Sequence, residues 1–270
     1  MKALVALERL LLPNACVSCG RTVGATTPDS LVCAPCLARL RSIPAGCERC
    51  GQPLPPVGPC RFCADWPRAM QRVTSAVWLG DEARQIVHHL KYQGYKRLAD
   101  DMARKMVRLL SCPVGSMLVP IPLGPKRLRQ RGYNQADLVA RSLGEQWKVD
   151  VHLQILARER DTKSQTKLTP EERRTNVGGA FLATTPTAPG LGGEEVEGGE
   201  EEHPASGSPS PPSPSSPPNH FPTVILVDDV LTTGATLAAA ATALQEAGWH
   251  KVEAVTFARA LPFVVRVELT

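Results

Sequence analysis

From Val224 to Thr236 the chain reads Val-Ile-Leu-Val-Asp-Asp-Val-Leu-Thr-Thr-Gly-Ala-Thr, two adjacent carboxylates followed closely by three hydroxyls and a glycine. An apolar run of strand type ends at Asp228 and Asp229, passes into a turn of small residues and opens a helix of alanine, leucine and threonine. The first amides of such a helix have no intrahelical partner and sit at the positive end of its dipole, so they attract an anion. Thr232, Thr233, Gly234, Ala235 and Thr236 are therefore the candidate phosphate cradle, with hydroxyls as extra donors and Gly234 allowing close approach of the backbone. The two acids would repel an anion held in the same place, so they are assigned to sugar hydroxyls about one turn away. A ribose carrying a 5-phosphate fits that pattern. Acids ending an apolar strand also hold metals or cap helices elsewhere; the Thr-Thr-Gly-Ala-Thr that follows is what favours the sugar phosphate.

A second chemistry-bearing pattern lies near the N-terminus. Eight of the nine cysteines form four Cys-x-x-Cys pairs, Cys16/Cys19, Cys33/Cys36, Cys47/Cys50 and Cys60/Cys63. Two-residue spacing turns both thiolates of a knuckle toward one tetrahedral ion, and two knuckles complete its four ligands. Two structural zinc ions in consecutive ribbons are expected, with sequential pairing of the knuckles and interleaved pairing as the alternative. A disulfide framework would suit a secreted chain, and a redox pair would need one such motif beside a βαβ unit rather than four in a row. Cys112 stands apart and reads as a small buried hydrophobe.

These sites need elements to position them. After Trp66-Pro67 cysteine nearly vanishes and strands begin to alternate with helices: strand Val73–Leu79, helices Asp81–Tyr92 and Leu98–Leu110, strand Met117–Ile121, helix Asn134–Trp147, strand Val151–Ala157, strand Val224–Val227, helix Thr236–Ala247 and strand Val252–Phe257. Such alternation predicts an α/β fold with a parallel sheet covered on both faces. Residues 1–66 are read as an N-terminal helix plus a double zinc ribbon, and 67–270 as the second domain. Residues 183–223 interrupt that domain with ten prolines, six glycines and six glutamates, a composition that predicts a disordered insertion emerging at the end of the sheet away from the site.

Charge narrows the ligand class. The chain carries +5 overall, but outside that acidic tract 31 basic side chains face 20 acidic ones, which favours a polyanion such as pyrophosphate or nucleic acid. Aromatic residues make up only 4%, which speaks against strong base stacking. The first dozen residues read as a short amphipathic helix rather than a secretory signal, and no apolar run reaches about 18 residues, so a soluble cytoplasmic protein without membrane insertion is expected.

Two loops add basic groups. Pro120-Ile121-Pro122-Leu123 leaves the carboxyl end of a strand, where loops of parallel sheets point into the ligand crevice. Lys126, Arg127, Arg129 and Arg131 follow it directly, either as part of the site or as a solvated basic turn; Lys126, Arg127 and Arg129 are the candidate nucleic-acid contacts. Residues 158–176 are polar and basic, a length and composition suited to a mobile lid, with Gln165, Arg173 and Asn176 as candidate contacts, or to a plain surface loop.

The Val224–Thr236 segment resembles the phosphoribosyl-pyrophosphate motif of type I phosphoribosyltransferases. The knuckles, Leu90-Lys91-Tyr92-Gln93-Gly94, Val119-Pro120-Ile121-Pro122, Arg131-Gly132-Tyr133-Asn134-Gln135, Gly179-Ala180-Phe181 and the acid-threonine motif together resemble the ComF family of competence-associated proteins. The resemblance implies a type I phosphoribosyltransferase fold with a small N-terminal zinc-ribbon domain, and a role in DNA uptake or nucleotide metabolism. It implies phosphoribosyl pyrophosphate with magnesium as ligand, the loop at Pro122 and Leu123 as pyrophosphate holder, and Asp228, Asp229, Arg131 and Arg173 as catalytic positions. Single-stranded DNA and other competence proteins are the implied partners. Purine-salvage enzymes with this motif carry an acid at the place of Thr232, which threonine cannot replace as a proton acceptor. Two readings therefore stand: a magnesium-dependent transferase of unknown acceptor, and a non-catalytic single-strand-binding module on the same fold.

Overall fold

The computed structural model describes residues 15–23, 30–53, 60–159, 179–186 and 222–260. In chain order its elements are α1 (Ala34–Arg39), β1 (Met70–Trp78), α2 (Asp81–Tyr92), α3 (Leu98–Leu109), β2 (Ser116–Pro120), α4 (Pro125–Arg131), α5 (Gln135–Trp147), β3 (Leu156–Arg158), β4 (Phe181–Ala183), β5 (Thr223–Leu231), α6 (Ala235–Glu246) and β6 (Val252–Arg259). β1, β6, β5 and β2 lie side by side in that order as a parallel sheet, and β3 and β4 form a separate antiparallel pair.

Period-two alternation distributes β5 between two cores. Ile225 and Val227 join α2, α3 and α5 on one face, whereas Val224 and Leu226 join α6 and the β3–β4 pair on the other. Both sets are apolar, as expected for parallel strands buried from both sides. On α3 the spacing Leu98, Met102, Met106 places three fully buried side chains along one stripe. Because α5 follows β2 onto one face and α6 follows β5 onto the other, the carboxyl ends of these neighbouring strands open a crevice at the switch between them.

Three expectations are corrected here. The strand expected over Val151–Ala157 is a single parallel bridge from Val151 to Leu118, after which exposed His152, Leu153 and Gln154 lead away from the sheet and pairing resumes only at Leu156, with β4. The basic stretch after Leu123 is helical: Pro125 starts α4 with its φ already set, and Gly132, at φ +78°, closes it in the left-handed conformation. The motif strand does not stop at Val227; Asp228 pairs with Thr256 and Val230 with Ala258, so both acids stand on β5 itself.

The cysteine-rich segment is built into both cores. Cys16, Cys33 and Cys36 belong to the core of α2 and α3, and Cys50 and Cys63 to that of α6. Buried Asp101 of α3 accepts hydrogen bonds from Ser30 Oγ at 2.7 Å and Leu31 N at 2.9 Å, tying the first knuckle pair to the helix. The chain from Arg41 into the second cysteine group runs along the outer edge of β1, with Trp78 N donating to Arg41 O at 2.9 Å, Val73 N to Arg49 O at 2.8 Å and an antiparallel bridge from Ser42 to Val77.

Both described margins of the 183–223 tract sit at the end of the sheet remote from the acids. Trp249 Nε1 donates to Thr184 O at 2.8 Å, and Thr223 N donates to Gly115 O at 3.2 Å. Residues 187–221, the N-terminal helix expected before residue 15, and the lid residues Gln165, Arg173 and Asn176 lie outside the described residues. Among the described residues no helix is long and apolar enough to cross a membrane.

Candidate functional site

A cavity of about 660 Å3 opens at the carboxyl ends of β1, β2 and β5. It is lined by Asp228, Asp229, Thr232 and Thr236 from the motif, Pro122 and Leu123 from the loop after β2, Arg127 and Arg131 from α4, and Arg84, His88, Lys91 and Tyr92 from α2. The structure thus brings the diacid, the threonines and the loop after β2 into one space. Lys126 and Arg129 are exposed on α4 and do not line it.

The two acids differ in environment. Asp229 is buried, and Lys91 Nζ lies 2.7 Å from its Oδ2. Burial works to lower the Lys91 pKa, but the charges of Asp229 and then Asp228 outweigh it and hold the ammonium above its ordinary value. Asp228 is only partly buried; its Oδ1 accepts from Asp229 N at 2.8 Å. Burial, then the charge on Asp229, push its carboxyl up to about 7 against the pull of Lys91. Such a carboxyl gains from a further cation or hydroxyl donor, so the donor set suits a hydrated divalent ion beside a diol.

The turn between β5 and α6 carries the motif threonines to the head of α6. Gly234 takes φ +77°, and Thr233 Oγ1 accepts from Ala235 N at 3.5 Å. Of the five candidate cradle residues, Thr232 and Thr236 line the cavity, whereas Thr233, Gly234 and Ala235 are not among its lining. Gly234 is tightly covered: a Cβ there would stand 2.7 Å from Trp66 Cζ2. The loop after β2 is held by Ile121 N donating to Val227 O at 2.9 Å and by Asn134, whose Nδ2 donates to Ile121 O at 2.9 Å while its Oδ1 caps α5 through Ala136 N. Arg131 donates to Gln135 Oε1 and stacks on Tyr92, its Cζ 5.4 Å from the ring centroid.

Sequence reasoning passed over the α2 wall. Lys91 and Tyr92 stood within the Leu-Lys-Tyr-Gln-Gly segment without an assigned role, and the signal for a role was a lysine inside an otherwise amphipathic helix directed at a sheet end. Arg84 and His88 carried no local signal, whereas Arg158, the first residue of the basic 158–176 stretch, lines the cavity from β3.

The cysteines gather into two groups, Cys16, Cys19, Cys33, Cys36 and Cys47, Cys50, Cys60, Cys63, each with its sulfurs within 4.8 Å of one another. Sequential pairing is thus the one adopted. Sγ separations of 3.6 Å for Cys19–Cys33, 3.8 Å for Cys47–Cys63 and 3.6 Å for Cys50–Cys60 match the edge of a tetrahedron with Zn–S of about 2.3 Å, roughly 3.8 Å. Both groups fit zinc ribbons. Cys112 is half-buried, and burial pushes its thiol pKa up.

Comparison with known proteins finds two family matches along the chain. Residues 7–64 match the model of the double zinc ribbon domain and residues 128–261 that of the phosphoribosyl transferase domain. DNA utilization protein YhgH of Salmonella typhi is 26% identical over 238 residues, covering 85% of this chain and 91% of the relative. Competence protein F of Haemophilus influenzae is 25% identical over 241 residues, 85% and 90% of the two chains. Competence protein ComFC of Bacillus subtilis is 25% identical over 231 residues, 82% and 80%. With both domains matched in this order, the chain belongs to the ComF family, a double zinc ribbon joined to a phosphoribosyl transferase domain.

Proposed function

We propose that this cavity binds phosphoribosyl pyrophosphate with magnesium and that the protein is a phosphoribosyltransferase working in DNA uptake or nucleotide metabolism. One observation carries the reading: a helix N-terminus with threonine hydroxyls and a partly buried diacid share a cavity whose opposite walls bear Arg84, Lys91, Arg127 and Arg131. The α6 cradle takes the 5-phosphate, Asp228 and Asp229 accept from the ribose hydroxyls, and the loop at Pro122 and Leu123 with Arg131 holds pyrophosphate. Lys91 pairs with Asp229 and fixes it, so that its positive charge offsets part of the acidity the site presents to an anionic ligand. Asp228 would help hold magnesium, which would supply positive charge for the pyrophosphate oxygens.

In calorimetry, phosphoribosyl pyrophosphate with magnesium binds and raises the melting temperature, and Asp228→Asn with Asp229→Asn abolishes both effects. Absence of heat and of any thermal shift in the unaltered protein removes the reading.

A single-strand-binding role is the second reading. It is favoured by exposed Lys126 and Arg129 on α4 next to the cavity, and by relatives named for DNA utilization and competence, which also suggest other competence proteins as partners. Here affinity for single-stranded DNA falls steeply with salt; equal affinity at low and high salt rejects it.

A further inference from the structure

The turn that carries the motif threonines is held from outside by the second cysteine group. Gly234 lies between Thr232 and Thr236, the two threonines that line the cavity, so its backbone sets how they stand to one another. A glycine at φ +77° is free to leave that conformation unless something packs against it. What packs there is one side chain. The heavy atoms nearest the position of a Gly234 Cβ are Cζ2, Cε2 and Nε1 of Trp66, at 2.7, 3.1 and 3.2 Å, and Trp66 is only 8% exposed. Trp66 itself does not line the cavity, so any effect it has on a ligand passes through the turn.

Trp66 is in turn seated by the group of Cys47, Cys50, Cys60 and Cys63. Its backbone N donates to Cys63 O at 3.3 Å, and Phe62, next to that cysteine, meets the indole edge-on at 5.7 Å and 73°. Arg49, from inside the other knuckle, lies 5.9 Å from the indole centroid and donates to Cys63 O, Trp66 O and Pro67 O. Both knuckles are thereby tied to the backbone that bears the indole. A second path runs through Arg259, which donates to Cys50 O and Gln52 Oε1, covers Phe62, and pairs in register with Leu231, the residue before Thr232. The first cysteine group packs elsewhere, against α2 and α3, where Asp101 holds it.

We propose that Trp66 is a positioning residue for sugar-phosphate binding, seated by the second cysteine group when that group holds zinc, so that zinc in this ribbon and a phosphate ester in the cavity strengthen one another's binding. The proposal rests on the phosphoribosyl pyrophosphate reading above and adds to it a control by metal. A segment this small, folded about its ion, loses its shape with the ion. Trp66 then releases Gly234, and the ligand must order the turn itself, which weakens its binding. Coupling between two binding equilibria is reciprocal, so the ligand in return tightens the hold of this ribbon on zinc. The first ribbon, seated on α2 and α3, does not share in the effect.

The test uses the full-length, zinc-loaded protein, with phosphoribosyl pyrophosphate and magnesium as the probe. Samples are equilibrated against a graded zinc-selective chelator that leaves magnesium in solution, then pulse-alkylated, and mass spectrometry reads which cysteines have lost metal. With the probe present, the chelator midpoint for Cys47, Cys50, Cys60 and Cys63 rises about tenfold, whereas that for Cys16, Cys19, Cys33 and Cys36 moves less than about twofold. Trp66→Phe, whose smaller ring does not reach Gly234 as the indole does, keeps both zinc ions, binds the probe about tenfold more weakly in calorimetry and loses the midpoint shift. Val252→Ala, a truncation in the same core at the remote end of β6, loses stability without losing affinity, which separates positioning from mere destabilisation. The proposal is overturned if the probe shifts both ribbons alike or neither, or if Trp66→Phe binds as the unaltered protein does. Should Trp66→Phe fail to fold, the comparison of the two ribbons in the unaltered protein decides alone. Failure of the unaltered protein to bind the probe would overturn the reading of the cavity and this coupling with it, a result distinct from binding without coupling.

Discussion

Asp228 makes the stability of the ligand-free protein depend on pH. Its carboxyl rises from 3.8 to about 7 on folding, through burial and then the neighbouring Asp229, opposed by Lys91. Between those values the folded chain keeps a proton that the unfolded chain has released, so stability falls as pH rises from about 4 to about 7 and levels off above. Because the carboxyl is partly open to water, the loss across this window is about 2 kcal/mol rather than the larger figure full burial would give. Urea midpoints measured across the window show the decline, and Asp228→Asn removes it; an unchanged slope in that variant would place the titrating group elsewhere. At this scale the acid pair was legible because both residues are adjacent in sequence. Lys91 was not, since its partner lies more than a hundred positions away and nothing local marks the pairing.

Local pattern located most elements because it is set by neighbours in sequence. The expected helix over Asp81–Tyr92 is α2, and the expected Leu98–Leu110 and Asn134–Trp147 helices differ from α3 and α5 by one terminal residue, Asn134 being the cap of α5. The β3–β4 pair escaped because three-residue strands have too little alternation to register. Helix α4 escaped because its charged residues hide the two signals that bound it, Pro125 and Gly132. The turn into α6 carries the sharpest element-level prediction. Gly234→Ala places a side chain at positive φ and into Trp66, so it should cost about 2 kcal/mol of stability and weaken sugar-phosphate binding. Equal denaturation midpoints for the two proteins would show that the turn and Trp66 yield freely.

Across the whole molecule, the cysteine groups are not an appendage. Arg259, buried at the end of β6, donates to Cys50 O and to Gln52 Oε1 and lies over the Phe62 ring at 4.6 Å. Arg49 donates to Cys63 O at 2.8 Å, to Met70 O and Trp66 O at 3.1 Å and to Pro67 O at 2.9 Å. The knuckle spacing showed a metal-binding segment but could not show that its two halves clasp opposite faces of one sheet, because that arrangement is made by packing between distant residues. Stripping zinc with a chelator should therefore change Trp66 fluorescence and loosen the turn at Gly234 along with the ribbons, and metal analysis of the intact protein should find two zinc ions per chain. Intact fluorescence after complete removal of zinc would contradict this coupling.

The stretch from Arg41 to Arg49 has one more effect, through the backbone groups of β1 that it occupies. Were that strap released, the outermost strand would offer an open template to another molecule, and chains deprived of metal would be prone to stick to one another edge to edge. Zinc would then guard solubility as well as shape.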